Sequence, residues 1–64
     1  MIKGIYNILS CSSTRLQEFG FYKGNEIIFL LELNGMFIFQ VHHSKIAIRK
    51  SDLEKMNLLF LGNI

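Results

Sequence analysis

Few side chains in this chain of 64 residues are of the types that catalyse reactions, and none of them form a recognisable set. Cys11 is the only cysteine, and His42 and His43 are the only histidines. A cysteine and a histidine can act as nucleophile and base, but the sequence offers neither an oxyanion-binding loop nor an acid to orient the histidine. We therefore expect Cys11 to be a buried structural residue, a common role for cysteine.

The acidic residues also lack the paired spacing of a general acid and a general base. They fall on solvent-facing positions of the expected helices and strands: Glu18, Glu26, Glu32, Asp52 and Glu54. The sequence therefore predicts a protein that is not an enzyme.

The adjacent histidines suggest a metal, but neighbouring strand residues point to opposite faces. A stable site takes three or four ligands, and no others are nearby. We assign no cofactor and no metal, and keep His42 and His43 as weak candidates for a transition metal ion bridging two chains. Titration calorimetry with Fe²⁺ and Zn²⁺ tests them, because heat that depends on neither histidine would exclude this site.

Composition limits the class of protein further. Half of the residues are hydrophobic, and the net charge of +2 is too small to indicate a nucleic-acid partner. The longest uncharged apolar run, Ile27 to Leu31, is far shorter than the ~20 residues that cross a bilayer. A single cysteine fits a reducing compartment. We expect one domain over residues 1–64, cytoplasmic and not inserted in a membrane.

Turn and cap signals divide the chain into five short strands and two short helical segments. Ser12 or Ser13 can cap a first helix, with Leu16 and Phe19 on one face and Gly20 as its stop. The predicted strands are Gly4 to Cys11, a strand from Glu26 to the break at Asn34-Gly35, Met36 to His42, Lys45 to Arg49, and Leu58 to Leu61.

The remaining signals place the turns and the second helix. Gly24 suits a positive-φ position in the turn before Glu26, and a short turn runs through His43-Ser44. Ser51 to Glu54 has the spacing of a capping box, which predicts a helix over residues 52–57. Together these elements predict a small all-β protein, a five-stranded bent barrel of the SH3-like type. It has one short helix after strand 1 and a helical turn before the last strand.

The register of the central hairpin decides which residues face outward. Asn-Gly favours a two-residue turn, but that register mixes apolar and polar residues on both faces. A three-residue loop, Leu33 to Gly35, separates them, and we prefer it. It predicts inward pairs Ile27–Val41, Phe29–Phe39 and Leu31–Phe37, and outward pairs Ile28–Gln40, Leu30–Ile38 and Glu32–Met36.

The outward apolar residues are the candidate partner surface: Ile28, Leu30, Met36 and Ile38. Either the N-terminal strand or the C-terminal tail covers them, or they form an exposed apolar patch of the kind that marks protein contacts. In the second case the patch is expected to bind a protein partner or a second copy of the chain.

Two segments resemble the signature motifs of the FeoA family, the small cytoplasmic component of bacterial ferrous iron transport. The first runs from Arg15 to Ile27 and matches the family at Arg15, Leu16, Gly20, Phe21, Gly24 and Ile27, with Phe19 in place of leucine. The second runs from Ile46 to Met56 and matches at Ile46, Ala47, Ile48 and Arg49. The resemblance covers roughly Gly4 to Phe60.

Two departures from the family pattern concern turns. Lys23 stands where the family usually has proline, and His43 stands where it often has glycine. The resemblance implies an SH3-like barrel without catalytic residues, which acts on the membrane GTPase transporter FeoB. We expect Gly20 and Gly24 to meet backbone requirements. Arg15 and Arg49 either pair with Glu18 or Asp52 or contact an acidic partner.

The leading functional hypothesis is therefore a non-enzymatic regulatory or adaptor module of ferrous iron uptake, which docks on a FeoB-like transporter through protein contacts. One alternative is an RNA-binding SH3-like module of the KOW type, since residues 23–30 faintly resemble the glycine-led strand of that motif. The weak basicity argues against it, and a steep salt dependence of RNA binding would support it. Another is a detached metal- or peptide-binding domain of the iron-dependent repressor type.

Overall fold

Local turn chemistry and strand alternation produce one antiparallel sheet with two short helices, and the computed structural model describes residues 1–64. The strands are β1 (Gly4–Cys11), β2 (Glu26–Leu33), β3 (Met36–Val41), β4 (Ser44–Arg49) and β5 (Met56–Gly62). The helices are α1 (Thr14–Glu18) and α2 (Lys50–Leu53). The sheet order is β4-β3-β2-β1-β5. This is a small all-β barrel of the SH3-like type, and the predicted fold class is confirmed.

Aromatic side chains close one side of the sheet, which we call the inner face. On β3, Phe37, Phe39 and Val41 are buried and alternate with partly exposed neighbours. The rings of Phe29 and Phe39 lie 5.4 Å apart, and Phe21 meets Phe39 edge-on at 5.8 Å. Edge-to-face contacts at these distances add to the stabilisation from burial alone. The inner face is therefore the hydrophobic core.

Helix α1 begins and ends where its cap residues require. The Ser13 hydroxyl accepts the Leu16 N–H at 3.2 Å. At the other end, the Phe21 N–H donates to the Leu16 carbonyl and the Gly20 N–H to the Gln17 carbonyl, each at 3.0 Å. These two bonds form a Schellman motif. They confirm the predicted stop and bring Leu16 and Phe21 into one core.

Gly20 is required at this stop for two reasons. Its φ of +107° is unfavourable for any residue with a Cβ, and an added Cβ would lie 2.5 Å from Val41 Cγ1. The expectation that Phe19 shares a face with Leu16 is wrong, since Phe19 is 53% exposed. The chain reverses immediately after Phe19, so Phe21 occupies the buried position instead.

The β2–β3 hairpin combines the two registers considered for it. Leu33 pairs with Met36 across a two-residue Asn34-Gly35 turn, in which both φ angles are positive. Further from the turn, Phe29 pairs with Phe39 as predicted. Leu30 is the extra residue of a bulge that reconciles these two registers.

The bulge decides which predicted pairs hold. Ile28–Gln40 and Phe29–Phe39 are confirmed. The pairs predicted nearer the turn, Leu31–Phe37, Leu30–Ile38 and Glu32–Met36, are wrong, because Leu31 pairs with Ile38 and Glu32 with Phe37. A one-residue slip moves side chains to the opposite face, so Leu31 points outward.

The predicted capping box from Ser51 to Glu54 is also wrong. Asp52, not Glu54, is the third helical residue of α2, and its Oδ2 accepts the Arg49 N–H at 3.2 Å. Helix α2 therefore begins at Lys50 and ends at Leu53. As a result, β5 begins at residue 56, two residues before the predicted start of the last strand.

The turn between β3 and β4 lies one residue earlier than predicted. Val41 pairs with Ser44, so His42 and His43 are the two turn residues. Their φ angles of +49° and +69° are those of a tight type I′ turn. Histidine is among the residues that tolerate this left-handed conformation better than most.

Candidate docking surface

The side of the sheet opposite the core is also largely apolar, and we call it the outer face. Side chains alternate along a strand, so the residues next to the buried Phe37 and Phe39 point outward. The structure places the four predicted surface residues on or beside this face, each of them partly exposed: Ile28, Leu30, Met36 and Ile38.

The bulge adds two residues to the outer face that the predicted register places in the core or in the turn. Leu31 and Leu33 lie opposite Ile38 and Met36, and they are 45% and 55% exposed. They are more exposed than the four predicted residues. The preference of Asn34-Gly35 for a two-residue turn is the sequence signal that could have identified them.

The chain's own ends do not cover this hairpin. Ile5 of β1 lies beside Ile28 and extends the outer face by one strand. β5 pairs with the other side of β1, at the far edge of the sheet. The tail therefore widens the sheet, and Leu31 and Leu33 remain exposed.

Basic residues border the outer face on the β4 side. Lys45 pairs with Gln40, Ala47 with Ile38 and Arg49 with Met36. The Arg49 side chain is mostly exposed, and Ala47 is too small to cover Ile38. The outer face is thus an apolar strip with positive charges along one border.

Arg15 and Arg49 converge on one buried carboxylate. An Arg15 guanidinium nitrogen lies 2.8 Å from Asp52 Oδ1, and Arg49 Nε lies 3.9 Å from Asp52 Oδ2. Asp52 also accepts the Arg49 backbone N–H. One side chain thereby connects α1, the end of β4 and α2. Pairing with Asp52, one of the two alternatives for these arginines, is present in the structure.

The charge of Asp52 is stabilised by these contacts. Burial raises the pKa of its carboxyl group. The hydrogen bond from the Arg49 N–H and the charges of Arg15, Arg49 and Lys55 lower it by more, so the pKa lies below its usual value. Asp52 is therefore ionised at neutral pH, as its partners require.

His42 is held in a small polar cluster on the surface. Its Nε2 lies 3.2 Å from the Tyr22 hydroxyl and 3.3 Å from Asn25 Nδ2, and its ring stacks on Tyr22. The Asn25 amide donates to the Gly20 carbonyl with the same nitrogen, so in the neutral imidazole Nε2 accepts and Nδ1 carries the proton.

This cluster engages the Nε2 atom of His42 in hydrogen bonds. His43 follows in the same turn and is exposed. No group of three or more His, Cys, Asp or Glu side chains is placed to hold a metal ion, and no pocket is large enough to enclose a small molecule.

The remaining residues of the sequence motifs lie in the core or in turns. Leu16 is fully buried, and Gly20 has the close contact with Val41 described above. Gly24 has a φ of +89° in the turn where the Asn25 N–H donates to the Tyr22 carbonyl at 3.0 Å. Cys11 is partly buried, and its thiol lies 3.5 Å from the Ser13 carbonyl.

Comparison with known proteins gives one match. The family model described as the FeoA domain matches residues 4–58 of this chain. No curated protein and no solved structure matches it. The matched range runs from β1 through α2 and into β5, and it includes both strands of the β2–β3 hairpin that carries the outer face.

Proposed function

Since this chain belongs to the FeoA domain family of ferrous iron transport, we propose that it is a non-enzymatic regulatory module that binds a FeoB-type membrane GTPase transporter. The family comprises small accessory domains and is not a known enzyme family. The proposed action is a protein–protein contact in the cytoplasm, and it needs no bound cofactor or metal.

The observation that carries this proposal is the exposed outer face. Leu31 and Leu33 are exposed and lie opposite the partly buried Ile38 and Met36. Fully burying an exposed aliphatic side chain contributes about 1.5–3 kcal/mol, and Leu31 and Leu33 still expose about half of theirs. A few of them are enough for a specific, reversible contact after the cost of association is subtracted.

The border of the outer face indicates the chemistry of the partner. Lys45 and Arg49 lie along one edge of an apolar strip. A complementary surface therefore has apolar side chains at its centre and carboxylates facing these two residues. Arg49 is fixed by Asp52 through its backbone, but its side chain remains mostly exposed and available.

The orientation relative to the membrane is part of the proposal. No helix of the structure is long and apolar enough to cross a bilayer. We propose that the chain reaches the transporter from the cytoplasm, where the GTPase part of a FeoB-type protein binds its nucleotide.

Co-purification with the transporter tests the proposal. Tagged chain is expressed with a FeoB-type transporter, and the transporter recovered from detergent-solubilised membranes is compared for the wild type and Ile38→Asp. We expect recovery with the wild type and loss of most of it with the variant, because a buried unpaired carboxylate is costly at an apolar contact.

A fold check completes this experiment. Ile38→Asp is first shown to keep the wild-type circular dichroism spectrum. Equal recovery with a folded Ile38→Asp would contradict docking through the outer face, and absence of recovery with the wild type would contradict the proposed partner.

A further inference from the structure

The two edges of the sheet differ in how they are protected. β5 and β4 are the terminal strands of the order β4-β3-β2-β1-β5. β5 pairs with β1 on one side only, and no backbone hydrogen bond outside the sheet involves residues 57–64. Its outer row of N–H and C=O groups is therefore free to pair with another strand.

β5 lacks the features that keep edge strands apart. Residues 56–64 contain no charged side chain and no proline, the residues that usually block edge pairing. Leu59 and Leu61 are 50% and 48% exposed. The pairing of β5 with β1 has two irregularities, an extra residue at Leu61 of β5 and one at Leu9 of β1, so residues 56–60 of β5 contain no extra residue of their own.

β4 has the protection that β5 lacks. If two copies paired through β4 in antiparallel fashion about Ala47, Lys45 of each would lie opposite Arg49 of the other. Like charges directly opposite are destabilising. If β4 of one copy paired with β5 of another, each copy would keep one free edge strand, and the assembly would not close into a dimer.

We propose that two copies of this chain form a symmetric dimer in which residues 56–60 of their β5 strands pair antiparallel. This arrangement closes on itself, since a two-fold axis between identical edges leaves no free β5 edge. It joins the two sheets and places Leu58 at the axis, so that the exposed Leu59 side chains of the two copies lie diagonally across from each other on one face. The outer face of the β2–β3 hairpin stays free, so the dimer does not depend on the proposed transporter contact.

Sedimentation equilibrium over a range of concentrations tests the dimer. We expect the wild type to dimerise and Leu59→Lys to raise the dissociation constant by about tenfold or more. Leu33→Lys is the matched control, because Leu33 is equally exposed but lies on the hairpin. Asn57→Lys is the second edge variant if Leu59→Lys does not fold, because Asn57 is exposed and lies within the paired segment.

Amide hydrogen exchange identifies the contact. In the dimer, amides of residues 57–60 should exchange more slowly as the concentration rises, while those of β4 should not change. A wild type that stays monomeric at the highest concentration at which it remains in solution would overturn the proposal. So would a dimer that Leu33→Lys dissociates as strongly as Leu59→Lys, or an assembly that grows beyond two copies.

Discussion

The two faces of the β2–β3 hairpin are built from the same classes of side chain, yet they differ in burial. Phe39 on the inner face is fully buried, whereas Leu33 on the outer face is more than half exposed. The barrel bends toward the inner face, so the inner side chains close on one another. On the outer face, Leu31 and Leu33 stay exposed and their neighbours are only partly buried.

The inner face therefore stabilises the fold, whereas the outer face is available for binding. The core residues remove apolar surface from water within one chain. The outer face keeps comparable side chains in contact with water, and a partner can bury them later. Hydrophobicity alone does not distinguish the two faces, and the bulge at Leu30 determines where the boundary lies.

Truncation on each face provides the strongest contrast in stability. Phe39→Ala should lower the free energy of unfolding by about 3–5 kcal/mol, since it leaves a cavity in the core. Leu33→Ala should change it by no more than about 0.5 kcal/mol. Urea denaturation followed by circular dichroism measures both, and Phe39→Leu is the milder core variant if Phe39→Ala does not fold. Equal costs at Phe39 and Leu33 would contradict the assignment of the faces.

The Asp52 junction should have an intermediate effect. Asp52→Asn removes the charge paired with Arg15 and weakens the bond to the Arg49 N–H, so we expect a loss of about 1–3 kcal/mol at neutral pH.

The pH dependence follows from the lowered pKa of the Asp52 carboxyl group. A lowered folded-state pKa stabilises the protein above the unfolded pKa, and this contribution is lost as the pH falls through the folded value. Urea midpoints should therefore differ between wild type and Asp52→Asn at about pH 7 and converge at about pH 2. A difference that persists unchanged in acid would show that the charge is not the cause.

A charge on the outer face should have a much smaller effect on stability than truncation in the core. Ile38→Asp is expected to cost about 1 kcal/mol, because aspartate is a poor strand residue but Ile38 is only half-buried. Urea denaturation checks this value. A cost as large as that of Phe39→Ala would show that Ile38 belongs to the hydrophobic core and that the outer face stabilises the fold.

Local signals in the sequence predicted the elements well. The bounds of β1 are those predicted, and Gly20 ends α1 in the geometry that its position indicated. These features depend on short-range hydrogen bonds and on the conformational freedom of one residue. The cap of α2 was assigned to Glu54 because Ser51 resembled an N-cap, but the buried position of Asp52 near Arg15 depends on tertiary contacts.

The candidate site was predicted in part. Strand alternation identified Ile28, Met36 and Ile38 as outward-facing. A single register along the whole hairpin predicts that Leu31 faces the core, and the bulge moves it to the outer face. The favourable Asn34-Gly35 turn sets the register near the turn, and the Phe29–Phe39 pairing sets it further away. The bulge joins these two registers, and it follows from closing the barrel rather than from any local pattern.

The most direct test of the central claim compares transporter binding by two chains with equally exposed apolar residues changed to aspartate. Leu33 lies on the outer face, and Phe19, at the end of α1, is exposed to nearly the same extent. Affinity for a purified FeoB-type transporter is measured for wild type, Leu33→Asp and Phe19→Asp. The account predicts that Leu33→Asp weakens binding by about tenfold or more while Phe19→Asp leaves it nearly unchanged. Equal affinities of wild type and Leu33→Asp, or a larger loss with Phe19→Asp, would contradict it.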